Sequence, residues 1–201
     1  MKNNQSSDKR LDDSILWAAF KQGDRTAYEQ IYQTYIRVLL VYGVRILDNE
    51  ETVRDTIQDL FIELWKSRET ISETDNIKVY LFKALRYKLL KEMSKTGNED
   101  LDSALNTYQS LLKVYPHESF LIEEEHRSEQ LRKLNRALSN LPSRQHEVLH
   151  LRYFQNCSNE DIARIMGIQY QSVSNLVHKS LEALKLYFLE ILLILSLTKL
   201  F

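Results

Sequence analysis

The residues of this 201-residue chain whose types and spacing could do chemistry are His146, Glu147 and His150, in the pattern H-E-x-x-H. On a helix, two histidines at this spacing share a face and can bind Zn²⁺, with the glutamate as the general base of a metalloprotease. A catalytic zinc site also needs a third protein ligand, and no obvious second motif follows downstream. The leucines and valine around the histidines are typical of core positions. A zinc metalloprotease is therefore a remote alternative, and we expect no catalytic residue, no metal and no cofactor.

The helix that would hold these residues is followed by segment 158–185. The pattern of this segment predicts two short helices joined by a tight turn. Ser158 and Asp161 form a capping-box pattern at the start of the first helix. Gly167 can take the positive φ that ends this helix, and Val173, six residues later, would pack between the two helices. This spacing is typical of a helix-turn-helix, whose second helix enters the DNA major groove. An ordinary helical hairpin remains the alternative.

Composition favours an all-α fold. The chain has only 4 glycines and 2 prolines, which disfavours a turn-rich β architecture. Its net charge is −1, so any affinity for nucleic acid must come from local patches. The single cysteine, Cys157, cannot form an internal disulfide, and no signal peptide opens the sequence. We therefore expect a cytoplasmic protein.

The pattern predicts two small helical domains joined by a linker. The boundaries are a disordered N-terminal tail over 1–11, an N-terminal domain over 12–95, a linker over 96–118, a C-terminal domain over 119–186 and a hydrophobic tail over 187–201. The uncharged run in the tail is too short for a membrane span, which needs about 20 apolar residues. The tail either extends the last helix onto its own core, or holds the free protein closed by contacting the N-terminal domain or the linker or by docking on a protein partner.

The predicted fourth helix, over 76–95, is strongly basic. From Lys78 to Lys95 it carries six cations against one anion, Glu92, and two tyrosines lie among them. Cations that follow a phosphate backbone and aromatic rings that stack on unpaired bases suit single-stranded nucleic acid. A solvated helix face beside core tyrosines is the alternative explanation.

In this order, the elements resemble an extracytoplasmic-function sigma factor of the sigma-70 superfamily, a two-domain bacterial transcription initiation factor. The resemblance rests on AYEQIYQTYIRVLLVYGVRIL with DTIQDLFIELW, on YLFKALRYKLLKEMSK, and on the sequence from Leu134 to Lys185. In this family the H-E-x-x-H residues would be local sequence in the helix before the turn. The resemblance implies a sigma factor that directs promoter recognition, strand opening and transcription initiation, and that is not an enzyme.

The resemblance also implies three binding surfaces. Core RNA polymerase would contact the exposed side of the third helix, at Asp55, Gln58, Asp59, Ile62 and Glu63. The loop over 67–75 and the fourth helix would hold the promoter −10 element as a single strand, with Asn76, Lys78, Tyr80, Lys83, Arg86 and Tyr87 as candidates. The second helix of the helix-turn-helix would read the −35 element as duplex, with Gln171, Ser172, Ser174, Asn175, His178 and Lys179 as candidates.

The partners implied are core RNA polymerase, promoter DNA and an anti-sigma factor, for which a membrane-bound protein is one option; no small-molecule substrate is implied. The main alternative is a helix-turn-helix transcription regulator that acts on duplex DNA. The basic, tyrosine-bearing fourth helix favours the sigma factor, because a regulator of duplex DNA needs no second site for unpaired bases.

Overall fold

The computed structural model describes the backbone of residues 2–96 and 141–198, and the side chains of 12–95 and 141–186. All regular structure in these ranges is helical, which confirms the all-α prediction. The chain divides into two compact units. The helices before residue 97 belong to the first, and most residues after 140 belong to the second. The predicted linker from residue 97, the first part of the predicted C-terminal domain and residues 199–201 lie outside the described residues.

The first unit contains four helices: α1 (Lys2–Lys21), α2 (Arg25–Ile46), α3 (Glu50–Ser67) and α4 (Ile77–Thr96). The sequence predicts that Asp24 caps α2 and that the Asp48–Asn49 pair caps α3, and the structure confirms a cap at the start of each helix. Asp24 Oδ1 accepts hydrogen bonds from the amides of Thr26 and Ala27 at 2.8 and 3.3 Å, and Asn49 Oδ1 accepts one from Thr52 at 3.0 Å. Each cap satisfies amides that the first turn of a helix leaves without an intrahelical partner.

Helix α1 differs from the expectation of a disordered tail over 1–11 and a helix that starts at Asp12. The structure begins α1 at Lys2, and Met1 lies outside the described residues. The segment from Lys2 to Lys21 contains neither glycine nor proline. Nothing therefore stops the helix that the buried Trp17 and Phe20 anchor from continuing toward the start of the chain.

Helix α4 lies at the centre of the first unit, because α1, α2 and α3 all pack against it. The side chains of Leu81, Phe82, Leu85 and Leu89 are completely buried. Gly43 allows a close approach of α2 to its neighbours: a Cβ built there would lie 2.5 Å from Val53 Cγ1 on α3. This unit is thus a tight bundle whose basic helix is also its core helix.

The described chain after residue 140 contains α5 (Ser143–Leu149), a π-helical turn (His150–Phe154), α6 (Asn159–Met166) and α7 (Tyr170–Thr198). The sequence predicted one regular helix over 143–154, whereas the structure widens it at His150. Helix α7 continues through most of the predicted hydrophobic tail, so the backbone of 187–198 is helical, while the side chains there lie outside the described residues. No helix in the described ranges is both long and apolar enough to cross a bilayer.

Candidate nucleic-acid interface

Helices α6 and α7 form the predicted helix-turn-helix. The Ser158 hydroxyl oxygen accepts a hydrogen bond from the Asp161 amide at 3.1 Å, and Asp161 Oδ2 accepts one from the Ser158 amide at 3.2 Å, which is a complete capping box. Gly167 has φ +66°, the left-handed conformation that glycine adopts without strain. The Ile168 amide then bonds to the Ala163 carbonyl at 3.1 Å, and Val173 is fully buried. These contacts fix the turn between the helices.

The predicted −35 residues lie on α7, directly after this turn. Five of them are exposed: Gln171, Ser172, Asn175, His178 and Lys179. They lie away from the buried positions Val173 and Ser180. Helix α7 therefore presents amides, a hydroxyl, an imidazole and one ammonium on an open surface, and these groups can meet base edges and phosphates.

Two local contacts hold side chains of this surface. Gln171 Nε2 lies 3.5 Å from Asn175 Oδ1, so the two amides point toward each other. His178 Nε2 lies 3.3 Å from Glu182 Oε1 one turn further along α7. Each of these contacts joins residues one turn apart on α7, so the polar side chains of the surface are held in line along the helix.

Ser174 differs from the other five candidates, because it is half-buried. Its hydroxyl oxygen accepts a hydrogen bond from Asn159 Nδ2 of α6 at 3.2 Å. The side chain joins the two helices, so the structure gives it an orienting position between α6 and α7.

The H-E-x-x-H residues lie in the helix before the helix-turn-helix, where Glu147 and His150 are buried. The His150 ring stacks on Phe154 with centroids 5.4 Å apart, and its Nε2 lies 3.2 Å from Gln155 Nε2. The neighbouring Val148, Leu149 and Leu151 are buried, which confirms their predicted place in the core. In the part of the chain that the structure describes, no three His, Cys, Asp or Glu residues lie close enough together to hold a metal ion.

The predicted −10 residues divide by exposure. Lys83 and Tyr87 are exposed, and Tyr87 has 62% of its surface open. Asn76 and Lys78 are half-buried: Asn76 Oδ1 caps α4 by accepting from the Val79 amide at 3.0 Å, and the Lys78 ammonium lies 5.8 Å from the centre of the Phe82 ring. These four residues lie at the start of α4 or on its open side.

Tyr80 and Arg86 are held more tightly than their sequence pattern predicted. The Tyr80 ring packs on Trp17 with centroids 4.9 Å apart, and burial raises the pKa of its phenol. Arg86 is only 8% exposed, so the structure places it among core side chains and not with the exposed cations. Both residues lie where α4 meets the rest of the bundle.

The predicted polymerase-binding residues form one exposed face of α3. All five are exposed: Asp55, Gln58, Asp59, Ile62 and Glu63. The opposite face of α3 is buried in the bundle. The open face is mostly acidic and includes one apolar side chain, Ile62, with 41% of its surface exposed.

A set of contacts between α1 and the loop that precedes α4 was not predicted from the sequence. Asp13, Trp17 and Lys21 of α1 all contact residues between Ser72 and Ile77. The four-residue spacing of these side chains was visible in the sequence, because it places them on one helix face. Their partners were not, because no pattern in the loop points to α1.

Two family models match the chain over most of its described residues. The model of sigma-70 region 2 matches residues 31–99, and that of sigma-70 region 4 matches residues 131–184. Among characterised proteins, the chain is similar to the RNA polymerase sigma factor YlaC of Bacillus subtilis (strain 168). The two are 24% identical over 161 residues, which is 80% of this chain and 91% of YlaC.

Solved structures show the same fold. The sigma factor RpoE of Bartonella quintana, in a complex with the anti-sigma factor NepR, matches with a TM-score of 0.61 and 20% identity over 80% of this chain and 96% of RpoE. CnrH, in a complex with the cytosolic domain of CnrY, matches with a TM-score of 0.58 and 18% identity over 88% of this chain and 96% of CnrH.

Proposed function

The chain belongs to the sigma-70 family, since the two region models together match more than half of its residues, and we propose which of its surfaces bind core RNA polymerase and promoter DNA. As a sigma factor it directs transcription initiation. The observation that carries the proposal is that one chain contains two different elements suited to DNA: a basic helix with an exposed tyrosine, and a helix-turn-helix. The first suits unpaired DNA and the second suits duplex DNA.

The exposed face of α3 is the proposed contact with core RNA polymerase. Asp55, Asp59 and Glu63 give it three carboxylates, and Ile62 adds an apolar group that a partner can bury. Complementary charge sets the register and rate of association, while the buried apolar group adds affinity. We place this face and the −10 surface in one N-terminal domain over residues 12–95.

The exposed side of α4 is the proposed contact with the unpaired −10 strand. Lys83 can pair with phosphates, and the Tyr87 ring is open enough to stack on a base. Lys78 and Asn76 lie at the start of the same helix, next to the loop over 67–75, and we assign this loop to the −10 strand as well. Tyr80 and Arg86 support this surface from beneath, because both are packed into the bundle.

The exposed side of α7 is the proposed contact with the −35 duplex, in a domain over 119–186 that a linker over 96–118 joins to the first. Asn175 and Gln171 carry amides, which can make two hydrogen bonds to an adenine edge in the major groove. Lys179 is suited to bind phosphate, and Ser172 and His178 can contact either a base edge or a phosphate. Ser174 orients α7 through its bond to Asn159.

We also propose a protein partner that holds the free sigma factor inactive. The structures of RpoE and CnrH, two proteins of similar fold, were both determined with a bound protein partner, which for RpoE is an anti-sigma factor. The sigma factor itself is proposed to act in the cytoplasm, where polymerase and chromosome are, and to have no catalytic activity of its own. It requires no metal or cofactor and takes no small-molecule substrate.

In-vitro transcription with core polymerase tests the proposal. The pure protein should give promoter-dependent transcripts with the core enzyme of its own organism, and permanganate should detect unpaired thymines in the −10 element. A transcription regulator that acts only on duplex DNA would bind promoter fragments but would neither bind core enzyme nor open the strands. That result would replace the sigma factor with the regulator.

A further inference from the structure

One face of α1 carries three side chains spaced by four residues, Asp13, Trp17 and Lys21. Residues four apart on a helix lie one above another, so these three form a stripe about two turns long. All three reach the same short segment, between Ser72 and Ile77, which joins α3 to α4. We call them the loop anchors.

Each loop anchor makes a contact of a different kind. Asp13 Oδ2 accepts a hydrogen bond from the Ile77 amide at 3.0 Å, and this bond is buried. Trp17 Nε1 donates to the Ser72 carbonyl at 3.1 Å. The Lys21 ammonium pairs with the Glu73 carboxylate. Two of the three contacts hold the backbone of the segment, so they fix its path whatever side chains it carries.

The three contacts also act on the first turn of α4. The Asp13 carboxylate lies at the N-terminus of this helix, where negative charge is stabilised by the helix dipole. Trp17 has no exposed surface, and its ring packs on Tyr80, one turn into α4. The end of the loop and the start of the basic helix are therefore held by the same two side chains of α1.

Lys21 has a further electrostatic effect. The Glu73 side chain is 73% exposed, whereas that of Lys21 is 19% exposed. Without Lys21, the loop would present the uncompensated Glu73 carboxylate to solvent. That charge would repel the phosphate backbone of a strand bound at this loop. The repulsion acts over about 8–10 Å, the Debye length at ordinary salt concentrations.

We infer that α1 shapes the loop over 67–75 for capture of the unpaired −10 strand, with Asp13, Trp17 and Lys21 as positioning residues that do not touch DNA. This inference rests on the proposed function, which assigns the −10 strand to this loop and to α4. The new element is that the affinity and base preference of the proposed −10 strand site depend on α1, a helix that is not part of that site.

The main test uses full-length protein bound to core polymerase and a fluorescent single-stranded −10 oligonucleotide, with a set of oligonucleotides that differ at one base. Trp17→Phe keeps an aromatic ring beside Tyr80 and removes the donor to Ser72. We expect its affinity for the best oligonucleotide to fall about fivefold, as for the loss of one hydrogen bond. The preference between the best and the substituted oligonucleotides should fall with it, because a loose loop fits every base less well.

Phe20→Leu is the matched control. Phe20 is a fully buried aromatic residue of the same helix, and its ring contacts are to Trp17, Tyr28 and Trp65. The change should loosen the core without removing a loop anchor. We expect its melting temperature to fall at least as much as that of Trp17→Phe, while its base preference stays that of the wild type.

A surface pair gives a second test that does not disturb the core. Lys21→Met should weaken strand binding about threefold to fivefold in the wild-type background. In the Glu73→Gln background the same change should have no effect, because Lys21 would then have no carboxylate to hold or neutralise. Hydrogen exchange of the Ile77 amide, compared in the wild type and Asp13→Ala, measures loop order without any DNA.

The outcomes separate the two ideas. Wild-type base preference in Trp17→Phe together with wild-type strand affinity in Lys21→Met, or a loss of base preference in Phe20→Leu equal to that in Trp17→Phe, would overturn the role of α1 and leave the proposed function standing. If the wild-type complex binds no single-stranded oligonucleotide better than an unrelated sequence, the proposed function of the loop is wrong. Rapid exchange of Ile77 in the wild type would contradict the anchors themselves.

Discussion

Lys88 of α4 and Glu63 of α3 form an ion pair in which Nζ and Oε2 are 2.7 Å apart. The lysine side chain is 23% exposed and the glutamate side chain 64%. The pair joins the helix proposed for the unpaired strand to the face proposed for polymerase. A pair as open as this contributes about 0–1 kcal/mol to stability, so its two members can be changed separately to test the two surfaces.

Glu63→Gln should weaken binding to core polymerase, whereas Lys88→Gln should leave it close to that of the wild type. Both changes delete the same ion pair, so any loss of stability should be the same small amount in each. Only the first removes a carboxylate from the exposed α3 face. Titration of labelled protein with core enzyme, beside a thermal melt, distinguishes them. Equal affinities in the two variants would move the polymerase contact away from this face.

Asn175→Ala should weaken −35 recognition and flatten the base preference, costing about 1–3 kcal/mol if the amide makes a bidentate contact with a base. Lys179→Ala should weaken binding to all sequences alike and lower the slope of log affinity against log salt by about 0.9. Holoenzyme binding to duplex −35 probes at several salt concentrations measures both effects. A uniform loss for Asn175→Ala would show that this residue contacts only the backbone.

Tyr87→Ala should impair binding of the unpaired −10 strand by about 1–3 kcal/mol, the usual contribution of one stacked base. Tyr87 has 62% of its surface exposed, so the change should hardly alter the melting temperature. Tyr80→Ala, by contrast, should lower both strand binding and stability, because that ring packs on Trp17. Permanganate reactivity at the −10 element and thermal melts of the free protein measure the two effects. Full strand opening by Tyr87→Ala would exclude it as a stacking platform.

Tyr35→Phe should reduce the loss of stability that the protein suffers at alkaline pH. Burial of Tyr35, and to a smaller extent the nearby Asp13 carboxylate, raises the pKa of its phenol. The unfolded chain therefore loses this proton first, near pH 10. The stabilisation is complete below that pH and is lost as pH rises toward the folded pKa, by at most about 1.4 kcal/mol per pH unit.

The measurement is the urea midpoint of unfolding between pH 9 and pH 11 for the wild type and Tyr35→Phe. Part of the slope should remain, because burial also raises the pKa values of Tyr28 and Tyr80. Tyr87→Phe, which alters an exposed phenol, serves as the control. Identical slopes in the wild type and Tyr35→Phe would mean that Tyr35 is more accessible to water than the structure indicates.

Gly43→Ala and Gly167→Ala should both destabilise the protein, for different reasons. At Gly43 the new Cβ would meet Val53 Cγ1 at 2.5 Å, and such overpacking costs about 1–3 kcal/mol. At Gly167 no atom lies within 4 Å of the new Cβ, but φ is +66°, which costs about 1–2 kcal/mol for alanine. The free energy of unfolding in urea gives both values.

Second-site changes separate the two causes. The Gly43→Ala cost should be smaller in a Val53→Ala background, where the clashing methyl group is gone. Gly167→Asn should cost less than Gly167→Ala, because asparagine tolerates the left-handed conformation better. A Gly43→Ala cost that is unchanged by Val53→Ala would mean that the helices can move apart at little cost.

The sequence predicted features that depend on a few neighbouring residues. The caps by Asp24, Asn49 and Ser158 and the positive φ of Gly167 each follow from local chemistry. The exposed faces of α3 and α7 followed from helical periodicity, because one side of each helix is apolar and the other polar. These local signals were enough to predict the all-α fold and the helix-turn-helix.

Features that depend on what surrounds a helix could not be predicted in this way. Helix α4 packs against three neighbours, so a larger part of its circumference is buried than the positions of its apolar residues indicate. Arg86 is buried for this reason. The widening at His150 likewise has no local signal. The loop anchors depend on partners more than 50 residues away in the sequence.

From that separation in sequence we expect a late step in the folding of the first unit. Contacts 52, 55 and 64 residues apart can form only after the chain between them has closed into a large ring, and closure of a ring that size carries an entropic cost that local helices avoid. On the ribosome α1 is synthesised first, yet it can grip the loop only once Ile77 has emerged. We therefore expect the loop before α4 to be among the last parts of the unit to take its final shape, and a nascent chain that ends before α4 to lack the proposed −10 site.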